Sequence, residues 1–405
     1  MKRIKQIIFS DFFDTLTNGA LVLFAYWYIY DVTHNQNYIS LLGLISMLAT
    51  LFTFIGGYFS DRMNRIALLK IVVLIRILNT SFGLVIYLLM NNPILGVMMT
   101  VVINSVLNIV YSPLTESIVP SIVHDRDDLV TANSWVSITN QLASVLSAGL
   151  SAIFIFFGNV GAGLVLSLIL YSVSYFLIGR LNSTQAPEAN HEASSSLSIQ
   201  TSNFFEGIKI IRSNTLIAVI VPIALVTNFC FWTVWLLMPK LSIDIFSEFK
   251  YMYNAVDLAF TVGSILGAFL VNAKHSDTKI FTAKSFPYFL FLQGFMILLI
   301  GFFSLLQRGI FGVVLAWLGY GICNATGSIL YFSTVQLSVP NQHIGMVIGA
   351  ILTIFSVANP IAAIASAPLS HLAATPSIVL CLGLVMMIAA IPVFSKKCNI
   401  RFNKG

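Results

Sequence analysis

Long apolar runs follow one another along almost the whole chain, and short polar segments separate them. A helix needs about 20 predominantly apolar residues to cross the hydrocarbon core of a bilayer. This length predicts twelve membrane-spanning helices, numbered here as spans one to twelve. Their approximate ranges are 7–30, 39–59, 66–89, 95–118, 130–156, 160–181, 213–238, 252–272, 284–306, 309–335, 344–367 and 374–394.

The composition agrees with a protein that crosses the membrane many times. The 405 residues are 58% hydrophobic and only 9% charged, whereas about 25% of the residues of a soluble domain are charged. The first apolar run is too long for a cleavable signal peptide and carries Asp11 and Asp14, so we expect it to remain as span one. The expected fold class is therefore an all-α membrane protein.

One long polar segment, 182–212, divides the spans into six and six. Its first part is rich in Ser, Ala and Asn, which is typical of a flexible linker. Its second part, 204–212, is amphipathic and is expected to lie in the membrane interface. We therefore predict an N-terminal bundle at 1–181, the linker at 182–212, a C-terminal bundle at 213–395 and a basic cytoplasmic tail at 396–405.

The basic residues are distributed unequally between the two sides of the predicted membrane. If the N-terminus is cytoplasmic, Lys240, Lys250 and Arg308 are the basic residues of the outer segments, Arg76 lies inside span three, and the other Lys and Arg residues face the cytoplasm. Cytoplasmic loops of membrane proteins carry such an excess. Both termini are therefore expected in the cytoplasm, and the net charge of +6 requires no nucleic-acid partner.

The two predicted bundles share a pattern that favours an internal duplication. Asn104, Asn108 and Tyr111 in span four have counterparts at the same spacing in span ten, between Asn324 and Tyr331. One such match could arise by chance, but transporters are often built from repeats. The position of the match in corresponding spans favours the duplication.

A short polar turn with paired glycines follows span two. This turn could be an ordinary basic inside loop. It also resembles the signature loop of the major facilitator superfamily, through Gly57, Asp61, Arg62 and Arg65. In this chain Ile66 stands where the signature loop has its last arginine. This resemblance implies two pseudo-symmetric six-helix bundles and a cytoplasmic gate at the four residues.

A second segment, 112–134, is similar to the span four-to-five region of the twelve-span drug:proton antiporters of bacteria, a branch that includes macrolide-efflux and siderophore-export proteins. At 147–152 the chain keeps small residues but lacks the proline of the antiporter motif of that branch.

Ionisable residues inside spans are candidates for proton coupling, since a charge at the bilayer centre costs about 2.5–3.5 kcal/mol. Asp14 shares a helical face with Asp11 and Asn18. It is the first candidate to carry a proton or to neutralise a cationic substrate, followed by Asp257 and by Glu116. Asp11 is expected to cap the start of the helix near the cytoplasm, and Asp257 could equally be an interfacial residue.

Arg76 is the basic residue that lies deep inside a predicted span. Its carboxylate partner could be Asp14, Asp61 or Glu116, and the sequence does not distinguish among them. We expect a structural ion pair rather than a contact with substrate.

Polar and aromatic stripes with helical spacing predict the wall of a substrate cavity, although any single polar residue in a membrane helix more often holds helices together. A cavity with many rings and amides and few charges suits a bulky lipophilic or amphipathic molecule. The candidates are Asn18, Asn104, Asn108, Tyr111, Asn140, Gln141, Asn228, Trp232, Trp235, Asn324 and Tyr331.

The sequence lacks a nucleotide-binding loop and hydrolase motifs, and its four cysteines show no metal-binding spacing. We therefore expect no enzyme activity, no metal and no cofactor, with a proton gradient as the energy source. The predicted function is secondary export of lipophilic small molecules by proton antiport across a bacterial plasma membrane, by a monomer whose partners are lipid and substrate. Alternatives are an importer or uniporter of a small metabolite, and a transport-inactive sensor or scaffold.

Overall fold

The protein is described here from a computed structural model, which covers residues 2–52, 63–90, 92–122, 126–180, 208–273, 285–306, 309–339 and 344–394. Within these ranges the chain forms helices and connecting turns, and no strand. The helices are α1 (Lys2–Thr33), α2 (Gln36–Leu51), α3 (Arg65–Met90), α4 (Pro93–Ile122), α5 (Arg126–Phe157), α6 (Val160–Gly179), α7 (Thr215–Asp244), α8 (Met252–Ala273), α9 (Phe286–Leu305), α10 (Ile310–Ser338), α11 (Ile344–Leu372) and α12 (Thr375–Ala390), after which a 3₁₀ turn covers Ile391–Phe394.

Among the described residues, 11 helices are long and apolar enough to cross a membrane, and α2 is a shorter apolar helix of 16 residues. The second predicted span, 39–59, continues beyond α2 into residues outside the described ranges. The predicted all-α membrane fold is confirmed. The helices extend past the predicted spans at several ends, as α7 does to Asp244, because a helix can continue in polar surroundings after its apolar run has ended.

Local sequence signals explain where some helices begin. The Asn64 side chain accepts hydrogen bonds from the backbone N–H groups of Ile66 and Ala67, both at 3.1 Å, and so caps the start of α3. Asn159 caps α6 in the same way, through the N–H of Gly161 at 2.8 Å. The residue before this cap, Gly158, has a φ of +61°, a conformation that glycine adopts without strain.

The contacts divide the chain into two compact units. The first unit contains 1–34 and 45–194, and in it α1 packs along α4, α5 and α6, while α3 packs along α4 and α6. Buried apolar residues from α1, α3, α4 and α6 form a cluster in this unit; its members include Ile7, Val73, Leu114 and Ile178. Within the first unit α1 therefore contacts three other helices.

The second unit contains 35–44 and 195–405. In it α8 packs along α10, α9 packs along α10 and α12, and α7 packs along α11 and α12. The start of α2 belongs to this unit, since the Gln36 side chain donates to the Leu236 carbonyl at 2.9 Å and the Ser40 and Ser366 hydroxyls are 2.6 Å apart. The predicted bundle ranges assign residues 35–44 to the first bundle, and the units differ from the prediction there.

A helical turn at 208–213 precedes α7. Ile211 is buried in the apolar core of the second unit, where Ile208 and Ile210 also pack. Lys209 and Arg212 are exposed. The described end of the predicted interfacial segment therefore has one apolar and one basic side.

Candidate functional site

A buried ion pair joins α1 to α3 in the first unit. Arg76 is 0% exposed and Asp14 is 1% exposed, and Nη1 of Arg76 donates to Oδ2 of Asp14. The other terminal nitrogen, Nη2, donates to Oδ1 of Asn108 on α4. The guanidinium carbon lies 4.4 Å from the ring centroid of Tyr111 and 5.9 Å from that of Tyr171. Asp14 is thus a partner of Arg76, while the other two candidates from the sequence, Asp61 and the side chain of Glu116, lie outside the described residues.

A second carboxylate, Asp11, belongs to the same network. The Tyr111 hydroxyl donates to Oδ1 of Asp11 at 2.9 Å, and the side chain of Asn140 on α5 also interacts with this carboxylate. The helix-capping role expected for Asp11 is wrong, because α1 begins at Lys2 and Asp11 therefore lies inside the helix. Its buried carboxylate faces the interior of the unit.

The network contains two carboxylates and one guanidinium, so its formal charge is −1 when both carboxylates are ionised. One bound proton makes it neutral. Oδ1 of Asp14 and Nε of Arg76 are buried without a hydrogen-bond partner among the described residues. Since an uncompensated charge is costly in such surroundings, this arrangement is chemically suited to bind and release one proton.

A second group of polar side chains supports the Arg76 network. Nδ2 of Asn79 donates to the Thr100 carbonyl at 2.9 Å and to Oδ1 of Asn104 at 3.0 Å. Asn104 in turn donates to the Tyr171 hydroxyl at 3.2 Å. The predicted residues Asn104, Asn108 and Tyr111 therefore lie together in the interior of the first unit, where Asn104 holds α3, α4 and α6 in contact.

The second unit contains a cavity of about 250 Å³ between α7, α9, α10 and α11. The predicted residues Asn228, Trp232, Asn324 and Tyr331 all line it. The described lining residues include no Asp, Glu, Lys, Arg or His. The full lining is Ala224, Thr227, Asn228, Phe231, Trp232, Phe286, Leu290, Gln293, Tyr320, Asn324, Gly327, Ser328, Tyr331, Phe332, Leu352 and Phe355.

An aromatic cluster borders this cavity. The rings of Phe231 and Tyr320 are stacked with their centroids 5.3 Å apart and an interplanar angle of 1°. Trp235 packs against Trp317 at 5.7 Å and against Phe260 at 6.0 Å. Trp235, which the sequence predicts in the cavity wall, is absent from the lining and packs within the cluster.

Tyr331 carries a buried hydroxyl that has no hydrogen-bond partner among the described residues, and the residue is 4% exposed. A buried polar group without a partner costs about 1–3 kcal/mol. Nearby, the Asn228 side chain donates to the Ala224 carbonyl at 2.9 Å, and the Gln293 side chain donates to the Cys323 carbonyl at 3.3 Å. The cavity is therefore uncharged, rich in rings and supplied with polar groups.

The sequence of the chain matches a known family over most of its length. Residues 7–363 match the sequence model of the Major Facilitator Superfamily. The chain belongs to this superfamily. Among proteins with curated descriptions, none matches it in sequence.

Solved structures with the same fold include other transporters. The chain is similar to the nucleoside transporter NupG, with a TM-score of 0.72, 13% identity and coverage of 100% of each chain. It is similar to a POT family transporter in complex with a thioalcohol conjugated peptide, with a TM-score of 0.73, 14% identity and coverage of 98% of this chain and 96% of that one. It is also similar to a bacterial homolog of the human lysosomal transporter Spinster, with a TM-score of 0.65, 11% identity and coverage of 100% of this chain and 97% of that one. At identities this low, the structural similarity shows a shared fold and nothing beyond it.

For several predicted residues of this superfamily member the structure shows no contact with either site, or the residues lie outside the described ranges. The gate residues Gly57, Asp61 and Arg62 and the side chain of Glu116 lie outside the described residues, while Arg65 begins α3. Asp257 is half-buried in the second turn of α8. Asn18 is half-buried and Gln141 is exposed. Their predicted roles stay predictions.

Several residues of these sites were not predicted from the sequence, among them Tyr171, Asn79 and Gln293. Tyr171 lies in a stripe with Ser167 and Ser174 on α6, a helical spacing that could have revealed it. Asn79 follows Arg76 by three residues on α3, a helical spacing that could also have revealed it, whereas Gln293 is an isolated amide in an apolar run and carries no periodic signal.

Proposed function

We propose that this superfamily member is a secondary active exporter, which moves lipophilic or amphipathic small molecules of drug or macrolide type out of a bacterial cell in exchange for protons. The observation that supports the proposal most is the buried network of Asp11, Asp14 and Arg76, which is neutral with one proton bound and carries −1 without it. A group that changes charge inside the bundle can link proton movement to a change of conformation.

The coupling step acts through the contacts of Arg76. With Asp14 ionised, the ion pair ties α1 to α3, and the contact with Asn108 ties α3 to α4. A proton on Asp14 removes its charge, and the remaining attraction of Arg76 is then to Asp11. Protonation therefore weakens the Asp14–Arg76 ion pair that joins α1 to α3. The helices can then move, so that access to the substrate site alternates between the two sides of the membrane, as secondary transport requires.

Import or uniport of a small metabolite is the second candidate. The amides of the uncharged cavity in the second unit favour it, because they suit a neutral solute with hydrogen-bonding groups, and one protein of the same fold is described as a nucleoside transporter. Transport in vesicles with the gradient in either direction distinguishes export from import.

The Asp14→Asn variant tests proton coupling. We expect gradient-driven transport of radiolabelled erythromycin in proteoliposomes to fall at least about tenfold, because an amide at this position cannot bind and release the proton. Exchange of labelled for unlabelled erythromycin without a gradient should persist, which separates lost coupling from misfolding.

The matched control is Asp31→Asn, since Asp31 lies on the same helix but is exposed. Its transport should equal that of the parent protein. Erythromycin transport that survives collapse of the gradient by an ionophore would refute the antiport mechanism. Full gradient-driven transport by Asp14→Asn would instead exclude only Asp14 as the coupling residue.

A further inference from the structure

We propose that the cavity between α7, α9, α10 and α11 binds an uncharged, flat aromatic molecule that accepts a hydrogen bond from the Tyr331 hydroxyl. In the exporter this site would add small neutral aromatic molecules to the range of substrates, and that meaning rests on the proposed function. The binding itself is a property of the second unit and can be measured without transport.

The described residues that line the cavity carry no charge, and this favours a neutral ligand. The described residues around the cavity contribute amides, hydroxyls, rings and aliphatic groups, and no carboxylate or basic side chain. A charged ligand would lose its hydration on entering and would meet no opposite charge there. The cavity therefore favours a neutral molecule over a charged one with the same ring.

Aromatic rings border the cavity at two levels of α10. Tyr320 is stacked on Phe231 at one level, and Tyr331 lies 5.7 Å from the rings of both Phe286 and Phe355 at the other. Tyr331 lies eleven positions after Tyr320, which is about 16 Å along a helix that rises 1.5 Å per residue. Rings at both levels favour a flat ligand, which can stack against an aromatic face.

The polar groups of the cavity favour one orientation of the bound ligand. The Tyr331 hydroxyl has no partner among the described residues and can donate to an acceptor on the ligand. Asn228 and Gln293 already use their amide nitrogens to bind backbone carbonyls. Each of these hydrogen bonds uses one of the two N–H groups of the amide, and the amide oxygens can accept a hydrogen bond from a donor on the ligand.

Gly327 helps to keep this space open. It lines the cavity on α10, and a Cβ placed there would lie 2.9 Å from Nε2 of Gln293. An alanine would therefore push the Gln293 amide from its position. Because the displaced group is the end of a flexible side chain, the helix can accommodate the change while the cavity is altered.

Equilibrium dialysis of the full-length protein in detergent tests the proposal with two dyes that share one ring system. Aminomethylcoumarin is neutral, with an acceptor carbonyl and a donor amine, and coumarin carboxylate is an anion. We expect the neutral dye to bind at least about tenfold more tightly, since the anion would enter without an opposite charge. Equal affinity for the two dyes, or no saturable binding of the neutral one, would overturn the proposal.

Tyr331→Phe distinguishes ligand binding from a structural role. It keeps the ring and removes only the hydroxyl, so we expect roughly tenfold weaker binding of aminomethylcoumarin, the loss of about one hydrogen bond. The unfolding temperature without dye should not fall, because the hydroxyl has no hydrogen-bond partner to lose among the described residues. Gly327→Ala should also weaken binding, whereas Tyr288→Phe is the control, since Tyr288 is 61% exposed and does not line the cavity.

Binding that is unchanged in Tyr331→Phe, or a fall in both binding and unfolding temperature, would contradict the role assigned to the hydroxyl. The two proposals fail separately. Selective dye binding without gradient-driven transport would refute the exporter alone. Gradient-driven transport of erythromycin by a protein that binds neither dye would refute the proposed ligand of the cavity and leave the proposed exporter function in place.

Discussion

Replacing Arg76 with methionine is expected to lower the free energy of unfolding by about 3–5 kcal/mol, the cost of removing one partner of a buried ion pair. The side chain of Arg76 is fully buried and pairs with Asp14. Without it, two carboxylates remain inside the first unit with no positive charge among their described neighbours. Asn108 and Tyr111 also lose their contacts with the guanidinium.

Thermal unfolding in detergent measures this effect, and a double variant shows its origin. Asp14→Asn combined with Arg76→Met removes both charges of the pair, so we expect it to recover most of the stability that the single arginine variant loses. Lys240→Met is the control, because the Lys240–Asp244 pair is partly exposed and 3.9 Å long, and such a pair contributes about 0–1 kcal/mol. Additive losses in the double variant would contradict a direct coupling between Asp14 and Arg76.

The fold was predictable from the sequence because the bilayer imposes a length on each apolar run. The required length of about 20 apolar residues locates the membrane helices but not their polar ends. For this reason α5 begins at Arg126, before its predicted span, and α7 ends at Asp244, after its predicted span. It also could not assign the start of α2 to the second unit, since that depends on side-chain contacts of Gln36 and Ser40.

The site was predictable only in part, because a one-dimensional pattern does not determine how each helix is rotated. The polar stripe on α4 identified Asn104, Asn108 and Tyr111, which do lie together. The partner of Arg76 could not be chosen, since the sequence offers Asp14, Asp61 and Glu116 as carboxylates and does not show which of them faces the arginine. Trp235 packs within the aromatic cluster, and its predicted place in a cavity wall stays a prediction, because an aromatic residue one turn from a cavity residue can pack in either direction.

The contact between α8 and α10 is a further determinant of stability in the second unit. Gly263 and Gly267 lie one turn apart on α8, and a Cβ on Gly263 would overlap the backbone carbonyl oxygen of Leu318. From the other side, a Cβ on Gly321 of α10 would lie 2.9 Å from the backbone nitrogen of Ser264. Small residues let membrane helices approach this closely, and here each glycine faces the backbone of the opposite helix.

Gly263→Ala is therefore expected to lower the free energy of unfolding by about 3 kcal/mol, at the upper end of the usual cost of overpacking. A backbone cannot rotate aside as a side chain can, so α8 and α10 must separate. The contact of Phe260 with Trp317, at 6.2 Å between centroids, would weaken with them. Thermal unfolding of the purified variant in detergent measures the loss.

Gly349→Ala makes the same chemical change on α11, where a Cβ would meet no heavy atom of the described residues within 4 Å. Since alanine favours a helix over glycine by about 1 kcal/mol, we expect this variant to be as stable as the parent protein or slightly more stable. The difference between the two variants isolates the close helix contact from helix propensity. If both variants unfolded at the same temperature, the close approach of α8 and α10 would not contribute to the stability of the second unit.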